Sequence, residues 1–298
     1  MTNEYFIGRI GTILQDHDPI PLYGLKLLQT YIERNKDCVH TLIENGILLQ
    51  ILSLFETLQN DTRSSALVSI VNIIACIVST TNKDLRLLCR QGLVDYLMSA
   101  FIAASSVLED DETGESASVL FLPLLDTLRQ LLKSLEVQAK RIVRFSETAG
   151  KLKTGRSQES LNVEQLLQKC KSLTGLNGVL ITLQCFDDED VQDWACHCLY
   201  MSAELFGGEY DKTFSEDDLE CLTDAIQLSN DKRKKILLKV VRRLVTSNQS
   251  LLRVLQRRGD ELRQYLSEIV ADNKTTTPEQ EAVKIAANEV LALMKEYE

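Results

Sequence analysis

Three histidines, eight cysteines and one dense basic run are the groups in this chain with chemistry to offer. His17, His40 and His197 fall in three separate helical segments, so nothing in the sequence pairs one with a nucleophile. Cys196-His197-Cys198 sets three metal-ligating residue types side by side, and Cys and His are the usual ligands of zinc. Adjacent side chains on a helix point about 100° apart, however, so three neighbours do not converge on one ion. No second ligand pair stands at zinc spacing. The expected role of Cys196 and Cys198 is a buried cysteine on each flank of an interhelical contact. There is no glycine-rich phosphate loop of Walker or Rossmann type. Neither the glycine loop, the Ala-Ile-Lys strand, the His-Arg-Asp loop nor the Asp-Phe-Gly of a kinase is present. The expectation is a chain with no catalytic residue, no metal and no cofactor. An enzyme would have to assemble its site from distant residues.

The basic run offers different chemistry. Lys232, Lys235, Lys239 and Arg242 recur on one helical face, opposite Leu237, Val241 and Leu244. Arg253, Arg257 and Arg258 follow one helix later. In a chain of net charge −10, this concentration makes a local positive field able to attract an acidic segment or surface. Two readings stand open: an ordinary solvated face, or a partner-binding ridge. Nucleic acid is not the expected partner, because the chain is acidic and no aromatic residues interleave for base stacking. Arg156-Ser157-Gln158-Glu159-Ser160 sets a basic residue before two serines in an expected loop. Ser157 and Ser160 are candidate phosphorylation sites, where added negative charge would meet basic neighbours.

The elements that must position these groups repeat along the chain. Each copy is a helical run, an Asn-led turn, a short helix stopped by glycine, and a restarted apolar helix. The copies run from Asn35-Lys36-Asp37 to Gly46-Ile47-Leu48, from Asn82-Lys83-Asp84 to Gly92-Leu93-Val94, and from Asn248-Gln249-Ser250 to Gly259. Gly46 and Gly92 lie about 46 residues apart, within the range of HEAT and armadillo units. In the first copy Leu25, Leu28 and Ile32 make an inward helical face after Pro21, which a first turn tolerates. Asn35 or Asp37 is expected to cap the next helix, and Gly46 to close it with a positive φ. Ile47, Leu48, Ile51, Leu54 and Phe55 then form the third helix's apolar face. The fold class expected is all-α: a right-handed α-solenoid of about six armadillo/HEAT-like units.

The expected organisation is helical repeats over 1–104, an acidic loop over 105–120 and a helical repeat over 121–149. A flexible loop over 150–162 and further repeats over 163–298, ending in a capping helix, complete it. Within these, Lys140 to Arg144 reads as a basic turn, and Gly175-Leu176-Asn177-Gly178 as a second version of the Gly46 element. Ser215 with Asp218, and Thr277-Pro278 with Gln280, have the spacing of capping boxes.

Bulk composition agrees. A 44% hydrophobic share supports a substantial core, and the 6% aromatic share suits stacked leucine-rich helices better than a β-sandwich. The dispersed cysteines read as reduced core residues of an intracellular, cytoplasmic protein. Glu4 and Arg9 interrupt any apolar leader. The most apolar segment, 66–78, falls short of the roughly 20 residues needed to span a bilayer.

Pro21-Leu22-Tyr23-Gly24-Leu25-Lys26-Leu27-Leu28, Leu42-Ile43-Glu44 and Leu87-Leu88-Cys89-Arg90-Gln91-Gly92-Leu93-Val94 resemble the C-terminal helical-repeat region of the Fused and Unc-51-like kinase group. The likeness is to its pseudokinase branch and is firmest over residues 21–104. The resemblance implies a chain without the group's kinase-like domain, as a short isoform or a stand-alone region. It also implies a protein-binding scaffold of cilium- or microtubule-linked signalling, with a cytoplasmic, ciliary or cytoskeletal location. No nucleotide-binding residue carries over. The alternative is a regulatory adaptor that binds a separate kinase through the basic ridge.

Overall fold

The computed structural model describes residues 2–17, 19–80, 85–107, 114–149, 158–208, 216–272 and 277–295. Among these no strand occurs, and the chain divides into two compact units, Met1–Cys170 and Lys171–Glu298.

The first unit holds α1 (Thr2–Ile13), α2 (Ile20–Arg34), α3 (Cys38–Glu44), α4 (Ile47–Leu58), α5 (Ser65–Thr80), α6 (Leu85–Arg90), α7 (Leu93–Val107), α8 (Gly114–Ala149) and α9 (Gln158–Cys170). α2 begins with Pro21 in its first turn and buries Leu25, Leu28 and Ile32, the face its periodicity predicts. α5 packs against both α2 and α8. Serving two neighbours at once requires a wide apolar surface, so Leu67, Ile70, Val71, Ile73, Ile74, Ile77 and Val78 are all buried. On α8, the fully buried Thr127 donates its hydroxyl to the Val71 carbonyl of α5 at 3.1 Å.

The two glycine turns of this unit form as the repeats require. Gly46 and Gly92 have φ of 72° and 94°, a left-handed conformation open to glycine at little steric cost. The chain bends by 79° between α3 and α4 at the first of them. The expected cap of α3 does not form. Asp37 has helical dihedrals (φ −66°, ψ −18°) and makes no side-chain cap, because an N-cap carboxylate reaches the free amides only from an extended backbone. The Asn35 carbonyl takes the Cys38 N–H instead, at 3.0 Å. Asn82-Lys83-Asp84 lies outside the described residues.

Helix extends into both stretches expected as loops. α7 continues through Val107 and α8 starts at Gly114, so of 105–120 only 108–113 lies outside the described residues. Likewise α9 begins at Gln158, leaving 150–157 outside. In each case a buried stripe (Leu120, Phe121 and Leu124; Val163 and Leu166) anchors a helix that propagates back through polar residues. Lys140 to Arg144 continue α8 rather than turning.

The second unit opens with a 3₁₀ segment, Lys171–Leu176, and proceeds through α10 (Asn177–Thr182) and a 3₁₀ turn at Leu183–Cys185. α11 (Glu189–Phe206), α12 (Glu216–Leu228), α13 (Asp231–Ser247), α14 (Gln249–Arg258), α15 (Asp260–Ala271) and α16 (Pro278–Lys295) follow. Gly175 and Gly178 do not repeat the Gly46 turn, since neither has a positive φ. The 3₁₀ segment runs directly into α10, and the buried Asn177 accepts from Ser202 of α11 at 3.2 Å.

Caps in this unit are well made. Asp188 caps α11, accepting from the amides of Asp190 and Val191 at 2.9 and 3.1 Å. Asn248 caps α14 through its oxygen and donates its Nδ2 to the Gly208 carbonyl at 2.7 Å, tying the end of α11 to that turn. Thr277 and Gln280 form the expected reciprocal capping box, at 3.1 and 3.3 Å. Ser215 lies outside the described residues. Gly259 ends α14 without a positive φ (−86°). A Cβ there would stand 2.2 Å from the Leu255 carbonyl oxygen, so close approach is what demands glycine.

Among the described residues no single helix is long and apolar enough to cross a membrane. The bent pair α3–α4 meets that test on length and composition, and its Leu42, Ile47, Leu48, Ile51 and Phe55 are buried in the core.

Candidate protein-binding surface

α13 carries the basic stripe, and its N-terminus is set by Asn230, whose side chain accepts the Arg233 amide at 3.0 Å. The helix packs against both α11 and α16 and buries Leu237, Leu238, Val240, Val241, Leu244 and Val245. At about 100° per residue, Lys232, Lys235, Lys239, Arg242 and Arg243 fall within one arc of about 100° on the other side. Lys232, Lys239, Arg242 and Arg243 are exposed and Lys235 is half-buried.

The stripe is tied down at two points. Lys232 pairs with Asp193 of α11 at 3.7 Å, and Arg242 pairs with Glu289 of α16. Beside Lys232, the buried guanidinium of Arg233 bonds Gln192 and stands 3.5 Å from Asp193 through Nε. Arg233 is thus an anchor between α11 and α13. Lys234 turns away from the stripe to donate to the Tyr265 hydroxyl of α15 at 2.6 Å. Lys235 and Lys239 between the anchored points, and Arg243 just after them, make no ion pair among the described residues.

Arg253 and Arg257 do not share a surface with the α13 residues of the expected ridge. Leu251 and Leu255 of α14 gather with Val241, Leu244 and Val245 around a space of only about 10 Å³. Hence α14 lies on the buried side of α13. Arg253 and Arg257 project from the side of α14 opposite Leu251 and Leu255, away from the lysine stripe. The side chain of Arg258 lies outside the described residues. The separation arises because Asn248 ends α13 and caps α14, so the two basic segments stand on different helices, which periodicity within either helix does not reveal. Arg243 belongs to the stripe although the four-residue pattern omits it. Its position four after Lys239 was the available signal.

The remaining candidates resolve in simpler ways. Cys196 and Cys198 are buried in α11 while His197 points to solvent, so the three side chains diverge. Burial, followed by Asp193, pushes the Cys196 thiol up to about 12. Among the described residues no group of three His, Cys, Asp or Glu could hold a metal ion. Ser157 lies outside the described residues; Ser160 lies in α9, but its side chain is outside them too. A groove of about 420 Å³ between α15 and α16 is lined by Ser267, Val270, Ala271, Asn288, Leu291, Ala292 and Lys295.

The fold class is all-α helical repeat of armadillo type. A computationally designed armadillo repeat protein for modular peptide recognition matches with a TM-score of 0.57 at 14% identity, covering 97% of this chain and 99% of that one. A designed armadillo repeat protein in complex with the peptide (KR)4 matches with a TM-score of 0.57 at 15% identity, over 96% of this chain and 99% of that one. At such identities the likeness is one of fold.

Within that class the resemblance to the Unc-51-like kinase group holds. The model of the HEAT repeats of serine/threonine-protein kinase ULK4-like proteins matches residues 1–40. Serine/threonine-protein kinase ULK4 of Mus musculus is 29% identical over 251 residues, 83% of this chain. The chain spans 19% of that relative's length. Its similarity is to a helical-repeat region, and the likeness reaches well beyond the 21–104 stretch that first suggests it.

Proposed function

We propose that this chain is a non-catalytic protein-binding scaffold of cilium- or microtubule-linked signalling, working in the cytoplasm or at the cytoskeleton. The observation that carries the binding role is the stripe on α13, where Lys235 and Lys239 between two anchored cations, and Arg243 just beyond them, make no ion pair among the described residues. Unpaired cations on a rigid element favour an acidic segment, because the side chains are already held near one another when it arrives. A helical-repeat fold supports this reading, since stacked helices bury a continuous core and leave long faces free for partners. One structural neighbour was solved with a peptide bound, which supports peptide binding as a use of the fold. The cellular setting rests on the likeness to ULK4.

Proximity labelling in ciliated cells, comparing the natural chain with a Lys235→Glu/Lys239→Glu variant, tests both parts. Enrichment of axonemal or tubulin-associated proteins that is lost in the variant is the expected result. A separate kinase enriched and lost in the same way would replace the scaffold with a kinase-binding adaptor. Profiles that do not differ between the two chains would remove the stripe as the contact.

A further inference from the structure

Cys89, next to last in α6, and Cys170, the last residue of α9, lie 81 positions apart in sequence, yet their sulfurs are 3.6 Å apart and fully buried. We propose that Cys89 and Cys170 form an oxidisable dithiol, which a peroxide converts to a disulfide joining α6 to α9. A bond requires the sulfurs to close by about 1.5 Å, to the usual S–S length near 2.05 Å. Side-chain rotation in two residues at helix ends supplies such a movement without shifting a helix interior.

The two thiols are unequal. The hydrogen bond from Cys170 favours the Cys89 thiolate, opposed by burial and aided by Lys169. The same bond, with burial, keeps Cys170 protonated. With the thiolate on Cys89, Cys89 attacks and Cys170 resolves; either sulfur can donate the contact, and the reverse order gives the same disulfide. In the first step the Cys89 thiolate attacks one peroxide oxygen. An S–O bond forms, the O–O bond breaks, and hydroxide leaves to take up the proton that Cys89 lost, giving a sulfenic acid and water. In the second step the Cys170 sulfur attacks the sulfenic sulfur. The S–S bond forms, the S–O bond breaks, and the hydroxyl leaves as water with the Cys170 proton. The thiols lose two electrons and two protons in all, and one peroxide becomes two waters.

Access comes through α6. It is a single helix of six residues held by Leu85, Leu88 and Cys89, and helices this short have little stability of their own, so local opening is cheap. Hydrogen peroxide is uncharged and close to water in size, so a brief opening admits it. The product closes a long loop and restrains the unfolded chain, making the oxidised unit harder to melt.

The test oxidises the purified chain under native conditions with hydrogen peroxide, blocks the remaining thiols with iodoacetamide, and maps the digest by mass spectrometry. A Cys89–Cys170 linked peptide is expected, reversed by dithiothreitol, together with a thermal midpoint raised by several degrees. In Cys170→Ala the linked peptide is lost and Cys89 is trapped as a sulfenic acid that dimedone captures. If oxidation falls on the exposed Cys185 while Cys89 and Cys170 are recovered unlinked, the proposal is overturned. The natural chain's peptide map decides this alone, whether or not the alanine variant folds.

Discussion

Helices α5 and α13 hold equivalent places, each packed against two other long helices of its own unit, yet their sequences share little. α5 has no charged residue in its 16 positions, whereas α13 has seven cations in 17. Even so, each buries an apolar stripe wide enough for its neighbours. The half-buried side of α5 offers Asn72 and Cys76, and Glu33 of α2 and Asp126 of α8 lie close enough to help raise the Cys76 thiol after burial itself. The same side of α13 is basic. Stacking therefore constrains only the buried stripe, and the outward residues are free to carry a second message. What that side displays is independent of the fold it stands on.

This contrast can be broken most forcefully from inside. Leu28→Ala in α2 or Ile74→Ala in α5 removes a fully buried side chain and should cost about 2–5 kcal/mol. Thermal or urea unfolding would register the loss, and an unaltered curve would mean the inward faces are assigned wrongly. Next in size is the anchor between α11 and α13. Asp193→Asn weakens the charge facing buried Arg233 and should cost roughly 1–3 kcal/mol, as loss of a hydrogen-bonded or paired charge does. Urea titration of the variant against the natural chain measures it. Thr277→Ala removes half of the capping box before α16, an effect of about 1 kcal/mol by the same assay.

A pH series sharpens the comparison further. The folded Cys196 thiol is pushed up to about 12 by burial, while an unfolded cysteine ionises near 8.5. Above that lower value the unfolded state binds fewer protons than the folded one, so stability falls as pH rises. The contribution is fully present below about pH 8.5 and fades toward pH 12. Cys196→Ala should flatten the alkaline decline of the melting midpoint. The smallest effect belongs to the outward face. Lys239→Ala should stay within about 0.5 kcal/mol of the natural chain, even as the Lys235/Lys239 reversal abolishes partner capture. A large destabilisation from Lys239→Ala would show that the stripe serves the fold.

Much of this architecture is legible in the residues themselves. Leucine and isoleucine spacing declares the helices, and Gly46 and Gly92 declare left-handed turns. Asp188 and Thr277 announce helix starts. Each depends on atoms a few positions apart, so local sequence suffices to determine it. Where the reading fails, local rules compete with distant contacts. Asp37 has a capping side chain but a helical backbone. Gly175 and Gly178 have the composition of a turn but sit where α10 must pack on α11.

The candidate surface divides along the same line. Helical periodicity alone aligns Lys232, Lys235, Lys239 and Arg242, because their spacing is fixed by one helix. Only the tertiary structure decides that Lys232 and Arg242 are already paired and that Arg253 and Arg257 face elsewhere. It also brings together Cys89 and Cys170, which no pattern in the chain connects. Short-range hydrogen bonding and side-chain period are written residue by residue. Encounters between residues 40 to 80 positions apart are set by how helices turn and stack, and turns at a few residues such as Asn248 and Gly259 control that.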